Sequence, residues 1–473
     1  MGYFMQYHPV PLEATLESLP PVWTEDLIPE IKLILENAPS MVFVLDDDPT
    51  GAQTVHNASF LTEWSLDVLI SERYQPEEVT FLQINTRAKT EEQAVKINAD
   101  LGIVFSQLSR LLKIPISVIS RSDSTLRGHF PAEVDALAKG MENSHDGIIF
   151  IPFFIQGGRY TIDDVQYVSD GSMLAPVAQT PFAKDSAFGY ESSNLCDWIE
   201  EKTRGRVSSE EVISVSIDEI RIGGPDVVEE KLRQMNRSDM CIINSADMRD
   251  LDVVALAILR LQYKYGKNYL IRSSASFVRS RLGQREKPIL NKEEMGYADK
   301  GGGLILVGSH VPGSTSQLES LLDLPNVYGL ELEVEKVLGR DKEHTASVIE
   351  RANMLLNESK DTVIYTSRNV ITGSSPEEYL EIGAIIANAM TAVVAGISAK
   401  PRYVISKGGM TSSNIILNAL NIKRATVPGQ ISPGVLVLQM GSESKYPGSK
   451  LILFPGNVGG STAISEVILR MRK

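Results

Sequence analysis

From residue 41 onward, short apolar runs alternate with longer stretches in which apolar positions recur every three to four residues. The short runs predict strands at 41–45, 79–84, 116–119, 147–151, 212–215, 240–243 and 269–271. Helices fall between them, for example over 90–112 and 131–141. Near 280 the texture changes: Lys287, Pro288, Asn291-Lys292-Glu293-Glu294 and Gly301-Gly302-Gly303 make a polar, glycine-ending segment, read as a linker over 281–303. A second alternation follows, with strands at 304–307, 361–365, 403–405, 435–440 and 451–454 and helices at 314–322, 341–357 and 376–395. Residues 1–40, broken by Pro9-Val10-Pro11 and Pro20-Pro21 and carrying one amphipathic helix over 25–36, read as an N-terminal extension. The expected fold is α/β with two domains, 41–280 and 304–473. Each is a mostly parallel sheet flanked by helices, with the active site in the interdomain cleft.

Composition narrows the function classes. At 473 residues the chain exceeds what one core usually supports, and 43% hydrophobic with 22% charged residues is ordinary for a globular enzyme. The net charge of −14 argues against a broad nucleic-acid surface but leaves room for a local cationic pocket. Cys196 and Cys241 lie far apart without CxxC spacing, and none of the six histidines shows HExxH spacing. Neither a disulfide framework nor a cysteine- or histidine-based zinc centre is expected, and no metal ligands are assigned. The first residues lack the features of a secretory signal, and no apolar run approaches the ~20 residues that span a bilayer. A cytoplasmic protein without membrane or nucleic-acid partners is the expectation.

Chemistry concentrates at strand ends. The first apolar run leads into Asp46-Asp47-Asp48 and then Pro49-Thr50-Gly51. Ligands of open α/β sheets bind beyond the carboxyl ends of strands, and three adjacent carboxylates suit a metal, a polyhydroxyl ligand or proton transfer. The plainer alternative is an Asp-rich turn that starts a helix. The run 116–119 leads into Arg121-Ser122-Asp123-Ser124-Thr125-Leu126-Arg127-Gly128-His129, which offers guanidinium groups for a carboxylate and hydroxyl-binding groups for a sugar. A capped helix start with Glu133 just inside is the alternative there. Arg87 follows the strand ending at Ile84, and Gly157-Gly158-Arg159 follows the one ending at Ile151. Four strand ends thus carry polar clusters.

The second half carries three glycine loops after strands: Gly308-Ser309-His310, Lys407-Gly408-Gly409-Met410-Thr411-Ser412, and Pro455-Gly456-Asn457-Val458-Gly459-Gly460. Free backbone N–H groups in such loops favour phosphate; ordinary tight βα turns are the alternative. GxxxxGK[ST], GxGxxG after a strand, and the protein-kinase signatures are all absent.

Together these segments resemble the four-carbon acid sugar kinase family. The resemblance rests on Asp47-Asp48-Pro49-Thr50-Gly51, the Asp-Ser-Thr-Leu-Arg-Gly block from Asp123 to Gly128, Gly158-Arg159, and Thr180-Pro181-Phe182-Ala183. In the second half it rests on Gly308-Ser309, the block from Gly408 to Ser412, Pro433-Gly434, and the terminal Gly456-Asn457-Val458-Gly459. It implies ATP-dependent phosphorylation of a threonate, erythronate or 3-oxo-tetronate, with the first domain binding the acid and the second ATP. Asp47, Arg87, Asp123, Ser124, Thr125, Leu126, Arg127 and Arg159 would then contact the sugar acid. Ser309, Gly408, Gly409, Met410, Thr411, Gly434, Gly456, Asn457 and Gly459 would contact the nucleotide. The chain departs from the family pattern at Met410, where members often have an acid, at Phe454, where they often have lysine, and at Arg121, also often lysine.

The expected chemistry is in-line phosphoryl transfer to a substrate hydroxyl, with Mg²⁺ on the ATP phosphates. Arg127 and Arg87, with Arg121 as a third, would hold the sugar carboxylate. Asp47 or Asp48 would accept the hydroxyl proton, with Asp123 in reserve. Two rivals stand beside this: a metal-dependent hydrolase or aldolase using Asp46, Asp47 and Asp48 as ligands, and a sugar-acid sensor without turnover. A homodimer is the candidate assembly.

Overall fold

The computed structural model describes residues 7–72, 78–142, 144–296, 301–308, 312–368, 376–456 and 459–472. Contacts divide the chain into two compact units: Met1–Val55 with Glu63–Glu286, and His56–Thr62 with Lys287–Lys473. The chain therefore leaves the first unit after Val55, contributes one strand to the second, and returns at Glu63.

The first unit is built on seven parallel strands in the order Ile213–Val215, Met240–Ile243, Ile148–Ile151, Leu270–Ser273, Ile116–Arg121, Met41–Asp46, Val79–Gln83. The strands are buried nearly throughout, which is why they read as continuous apolar runs rather than alternating ones. Register aligns their carboxyl ends: Asp46 stands opposite both Arg121 and Gln83, and Arg121 opposite Ser273. The chain runs from the Met41–Asp46 strand to a neighbour on one side and then crosses to the other. The acidic turn therefore sits where the winding reverses, the place where such sheets bind ligands.

Local sequence explains the flanking helices. Thr90 and Gln93 form a reciprocal capping box that starts Glu91–Leu112. That helix meets Ala132–Gly140 at paired glycines: a Cβ on Gly102 would lie 2.6 Å from the Leu137 carbonyl oxygen, and one on Gly140 would lie 2.4 Å from that of Ala99.

Two parts of the first unit differ from expectation. The helix Ile28–Asn37 buries Ile31 and Leu35, so the N-terminal extension contributes to the core. Residues 159–176 form three antiparallel strands, Arg159–Ile162, Val165–Asp170 and Met173–Pro176, joined at the edge by Val10–Pro11. Arg159 thus opens a strand.

The second unit holds five parallel strands in the order Lys450–Phe454, Val404–Lys407, Leu304–Val307, Asp361–Thr366, Val327–Leu332. Beyond Lys450–Phe454 the sheet turns antiparallel through Val435–Met440, Arg424–Ser432 and Ala58–Leu61. Leu290 and Met295, from the segment expected to be a linker, are buried in this unit's core with Ile305, Val437 and Ile452. Among the described residues no helix is long and apolar enough to cross a membrane.

Candidate active site

In the first unit the aligned strand ends bring four acids and four arginines together. Asp46 is fully buried and accepts from Arg121 Nη1 at 3.1 Å. Its carboxylate fills the space beside Gly51, where a Cβ would lie 2.2 Å from either oxygen, so the Thr-Gly turn is what gives the acid room. Asp47 Oδ1 takes Arg121 Nη1 at 3.2 Å and Arg87 Nη2 at 3.4 Å, while its Oδ2 accepts from the Ser122 hydroxyl at 2.9 Å. Asp48 pairs with Arg87 at 3.0 Å and accepts from the Thr50 N–H at 2.9 Å. Asp123 accepts from Arg127 Nε at 2.6 Å and lies 3.6 Å from Arg87 Nη1. Arg87 is therefore shared by Asp47, Asp48 and Asp123.

This pairing corrects one expectation. Arg121 is only 7% exposed and its Nη1 is shared by Asp46 and Asp47, so it is not placed to hold a substrate carboxylate. Nor do Asp46, Asp47 and Asp48 converge on a common point as metal ligands would; they converge on Arg121 and Arg87.

Arg159 contrasts with these carboxylate-paired cations. It donates to the Gly157 carbonyl, its Nε is buried without a partner, and among the described residues no carboxylate lies within ion-pairing distance. The Arg159 and Arg127 guanidiniums lie 5.7 and 5.0 Å from the centre of the Phe182 ring. Arg127 is half-buried and, besides Asp123, approaches Asp185 at 3.7 Å. Ser124, Thr125 and Leu126 are buried in the turn that carries Asp123. The Thr125 carbonyl accepts from Tyr190, the Ser124 carbonyl accepts from Gln166, and Leu126 adopts a φ of 67°.

In the second unit register places Val307, Lys407 and Phe454 side by side. Gly308, Gly408 and Gly456 therefore emerge from the same edge of the sheet. Gly434 joins them, because Val435–Met440 runs antiparallel to Lys450–Phe454 with Leu436 opposite Leu453. Thr411 closes against Gly308, whose Cβ would lie 2.6 Å from the Thr411 hydroxyl oxygen. The Gly459 carbonyl is held by Gln317 at 3.1 Å. Ser309 and Asn457 lie outside the described residues, as does the Met410 side chain.

Two family models match this arrangement: a sugar-binding N-terminal domain over residues 42–281 and a nucleotide-binding C-terminal domain over residues 304–464. The chain belongs to the four-carbon acid sugar kinase family. Solved structures share the fold. A Haemophilus influenzae protein of the DUF1537 family is 16% identical with a TM-score of 0.62, covering 91% of this chain and 100% of its own. A Salmonella typhimurium LT2 protein, described provisionally as a tRNA synthase, is 16% identical with a TM-score of 0.66, covering 92% and 99%. No curated protein matches the chain.

Electrostatics separate the acids of the sugar-binding domain. Burial pushes the Asp46 carboxyl up to about 7 against the pull of Arg121. Burial also raises Asp47, with Arg87 and Arg121 opposing. At Asp48 and Asp123 burial acts in the same sense but is outweighed by Arg87, joined by Arg121 at Asp48 and Arg127 at Asp123, so both sit below the usual carboxylate range. Because Asp46 is raised, the folded chain binds an extra proton between the unfolded value, near 3.8, and about 7. Its contribution to stability is full at low pH and is lost as pH rises through about 7. All three tryptophans, Trp23, Trp64 and Trp198, lie in the first unit, so their fluorescence in urea reports its unfolding. The midpoint should fall between pH 5 and pH 8, and Asp46→Asn should flatten that fall. An equal slope in the two proteins would mean that another group titrates.

Two further buried charges stand beside these clusters, Arg272 in the first unit and Lys407 in the second. Arg272, inside a strand, donates to Ser122 at 2.9 Å and pairs with Glu133 at 3.2 Å, both charges buried. Arg272 also lines a small cavity with Asp123, Arg127 and Trp198. In the nucleotide-binding domain Lys407 is the last residue of its strand and is fully buried.

Proposed function

We propose that the protein is an ATP-dependent kinase that phosphorylates a hydroxyl of a four-carbon sugar acid. The observation that carries this reading is the union, in one chain, of a nucleotide-binding domain with a sugar-binding domain whose aligned strand ends carry acids and hydroxyls, near an arginine, Arg159, that has no carboxylate partner among the described residues. Positioning and charge neutralisation do most of the work in phosphoryl transfer, and both units offer them. Asp47 accepts the proton of the attacking hydroxyl. Asp48 and Asp123 fix Arg87 over it. Arg159 and Arg127, both near Phe182, take the substrate carboxylate. The glycine loops of the second unit, with Thr411, cradle the phosphates. Mg²⁺ arrives with the nucleotide as part of the substrate; among the described residues no group of three acidic, histidine or cysteine side chains is arranged to hold an ion.

The deciding experiment measures ADP formation from MgATP with a panel of threonates, erythronates and 3-oxo-tetronates. ADP that appears only when one of these acids is added supports the kinase. Turnover of an acid with divalent metal and no nucleotide would favour the hydrolase or aldolase, and acid binding without any ADP would favour the sensor.

The carboxylate assignment makes its own prediction. A hydrogen bond to a charged group contributes about 1.5–3 kcal/mol, so Arg159→Ala should raise KM for the acid roughly 10- to 100-fold with little change in kcat. A neutral lactone of the same sugar, tested as a competitive ligand, should bind both proteins equally. Equal weakening for lactone and acid would remove Arg159 from carboxylate recognition.

A further inference from the structure

Lys407 is a buried cation without a described counter-charge. Its side chain is inaccessible to solvent, its Nζ donates to the Pro455 carbonyl at 2.6 Å, and the ammonium lies 4.7 Å from the centre of the Phe454 ring. Among the described residues no carboxylate pairs with it. An ammonium has three donors, and here one carbonyl and a ring face serve it. Burial accordingly pushes its pKa down to about 8, with no opposing charge. Holding an ammonium in such a place costs several kcal/mol unless an anion compensates.

The position supplies the anion. Lys407 ends the middle one of three parallel strands whose ends are level, and each is followed by glycine: Gly308, Gly408-Gly409, and Gly456 after Pro455. Gly408, at a φ of 102°, turns the backbone directly after the lysine. Backbone amides in such turns attract anions weakly on their own; a fixed positive charge beneath them, unscreened by water, strengthens that attraction.

We propose that Lys407 supplies the positive charge of the phosphate subsite in the nucleotide-binding domain, neutralised in the working state by the terminal phosphates of a bound nucleoside di- or triphosphate. This rests on the kinase reading and adds to it the group that distinguishes ATP and ADP from AMP and adenosine. It also explains how a chain without GxxxxGK[ST] can offer a lysine to phosphate: the charge comes from the end of a strand.

Calorimetry on the full chain tests it, with ATP, ADP, AMP and adenosine as ligands for the wild type and Lys407→Met. The variant should bind ATP and ADP roughly 10- to 100-fold more weakly, the range expected for one charge-assisted contact, and adenosine within about twofold of the wild type. At pH 8.5, above the lysine's lowered pKa, the wild type should take up protons on binding ATP, seen as a binding enthalpy that changes with the buffer's ionisation enthalpy. Lys407→Met should not. Equal losses for ATP and adenosine, or wild-type binding without proton uptake, would overturn the proposal. Should the variant fail to fold, the wild-type proton measurement decides alone. A wild type that binds none of the four ligands would overturn the nucleotide reading itself, a different result from an unchanged ATP-to-adenosine ratio.

Discussion

Asp47→Asn should lower kcat about 100- to 10,000-fold, the range for loss of a general base, and leave ATP affinity within about twofold. Asparagine keeps the shape of the side chain, so the effect isolates the carboxylate's basicity. Three acids surround Arg87, and their environments push them apart. Asp48 and Asp123 are depressed, which makes them weak bases and good anchors for Arg87. Asp47 is raised by burial, toward the range in which a carboxylate accepts a proton at neutral pH. Its side chain is 3% exposed, so a hydroxyl reaches it only when seated against Arg87 and Ser122. The base must be ionised, so kcat should fall as pH drops through the raised pKa, and Asp47→Asn should lose that acidic limb. An unchanged limb in the variant would move the role to Asp48 or Asp123. Loss of ATP binding in the same variant would contradict the assignment of acid and nucleotide to different units.

Parallel strands buried on both faces left clear apolar runs, and so the core of both sheets was readable from sequence: Met41–Asp46, Ile116–Arg121, Ile148–Ile151 and Leu304–Val307 all appear within a residue or two of expectation. Strands that mix polar and apolar positions were not. Val327–Leu332 contains Gly329 and Glu331 and is mostly part-exposed, and the hairpin strands from Arg159 to Pro176 carry Thr161, Gln166 and Ser169 among their apolar residues. Ala58–Leu61 is four residues long and pairs with Arg424–Ser432, more than 360 positions away, which no local pattern announces.

The site was legible as clusters and illegible as pairings. Sequence placed Asp47, Arg87, Asp123 and Arg127 at strand ends; register shows that Arg121 stands opposite Asp46 and is consumed there. Register also changes the meaning of Phe454. In sequence it is a missing lysine relative to the family pattern; in the sheet it is the in-register neighbour of Lys407, whose ammonium lies over its ring. A departure from the family pattern and the lysine that opens a glycine loop, 47 positions apart along the chain, share one place in space.

Arg272→Met should be among the most destabilising substitutions in the sugar-binding domain. Arg272 and Glu133 are 3% exposed each, and removing one partner of a buried pair costs about 3–5 kcal/mol because the other charge stays buried. In sequence Glu133 reads as a helix-start acid and Arg272 lies just past the apolar run 269–271, and neither residue reveals the other. Their pairing also reaches the chemistry. Arg272 Nη2 donates to the Ser122 oxygen, so the single Ser122 proton is turned toward its two acceptors, Asp47 Oδ2 at 2.9 Å and the Arg127 carbonyl at 3.2 Å. Tryptophan fluorescence in urea should show the first unit of Arg272→Met unfolding at a markedly lower midpoint. Adding Glu133→Gln should recover part of the loss, because the stranded carboxylate is gone. Stability recovered in the double variant with kcat still depressed would separate the two roles, ion pairing with Glu133 and orientation of Ser122. Recovery of both together would mean that Arg272 serves the site only by holding the fold.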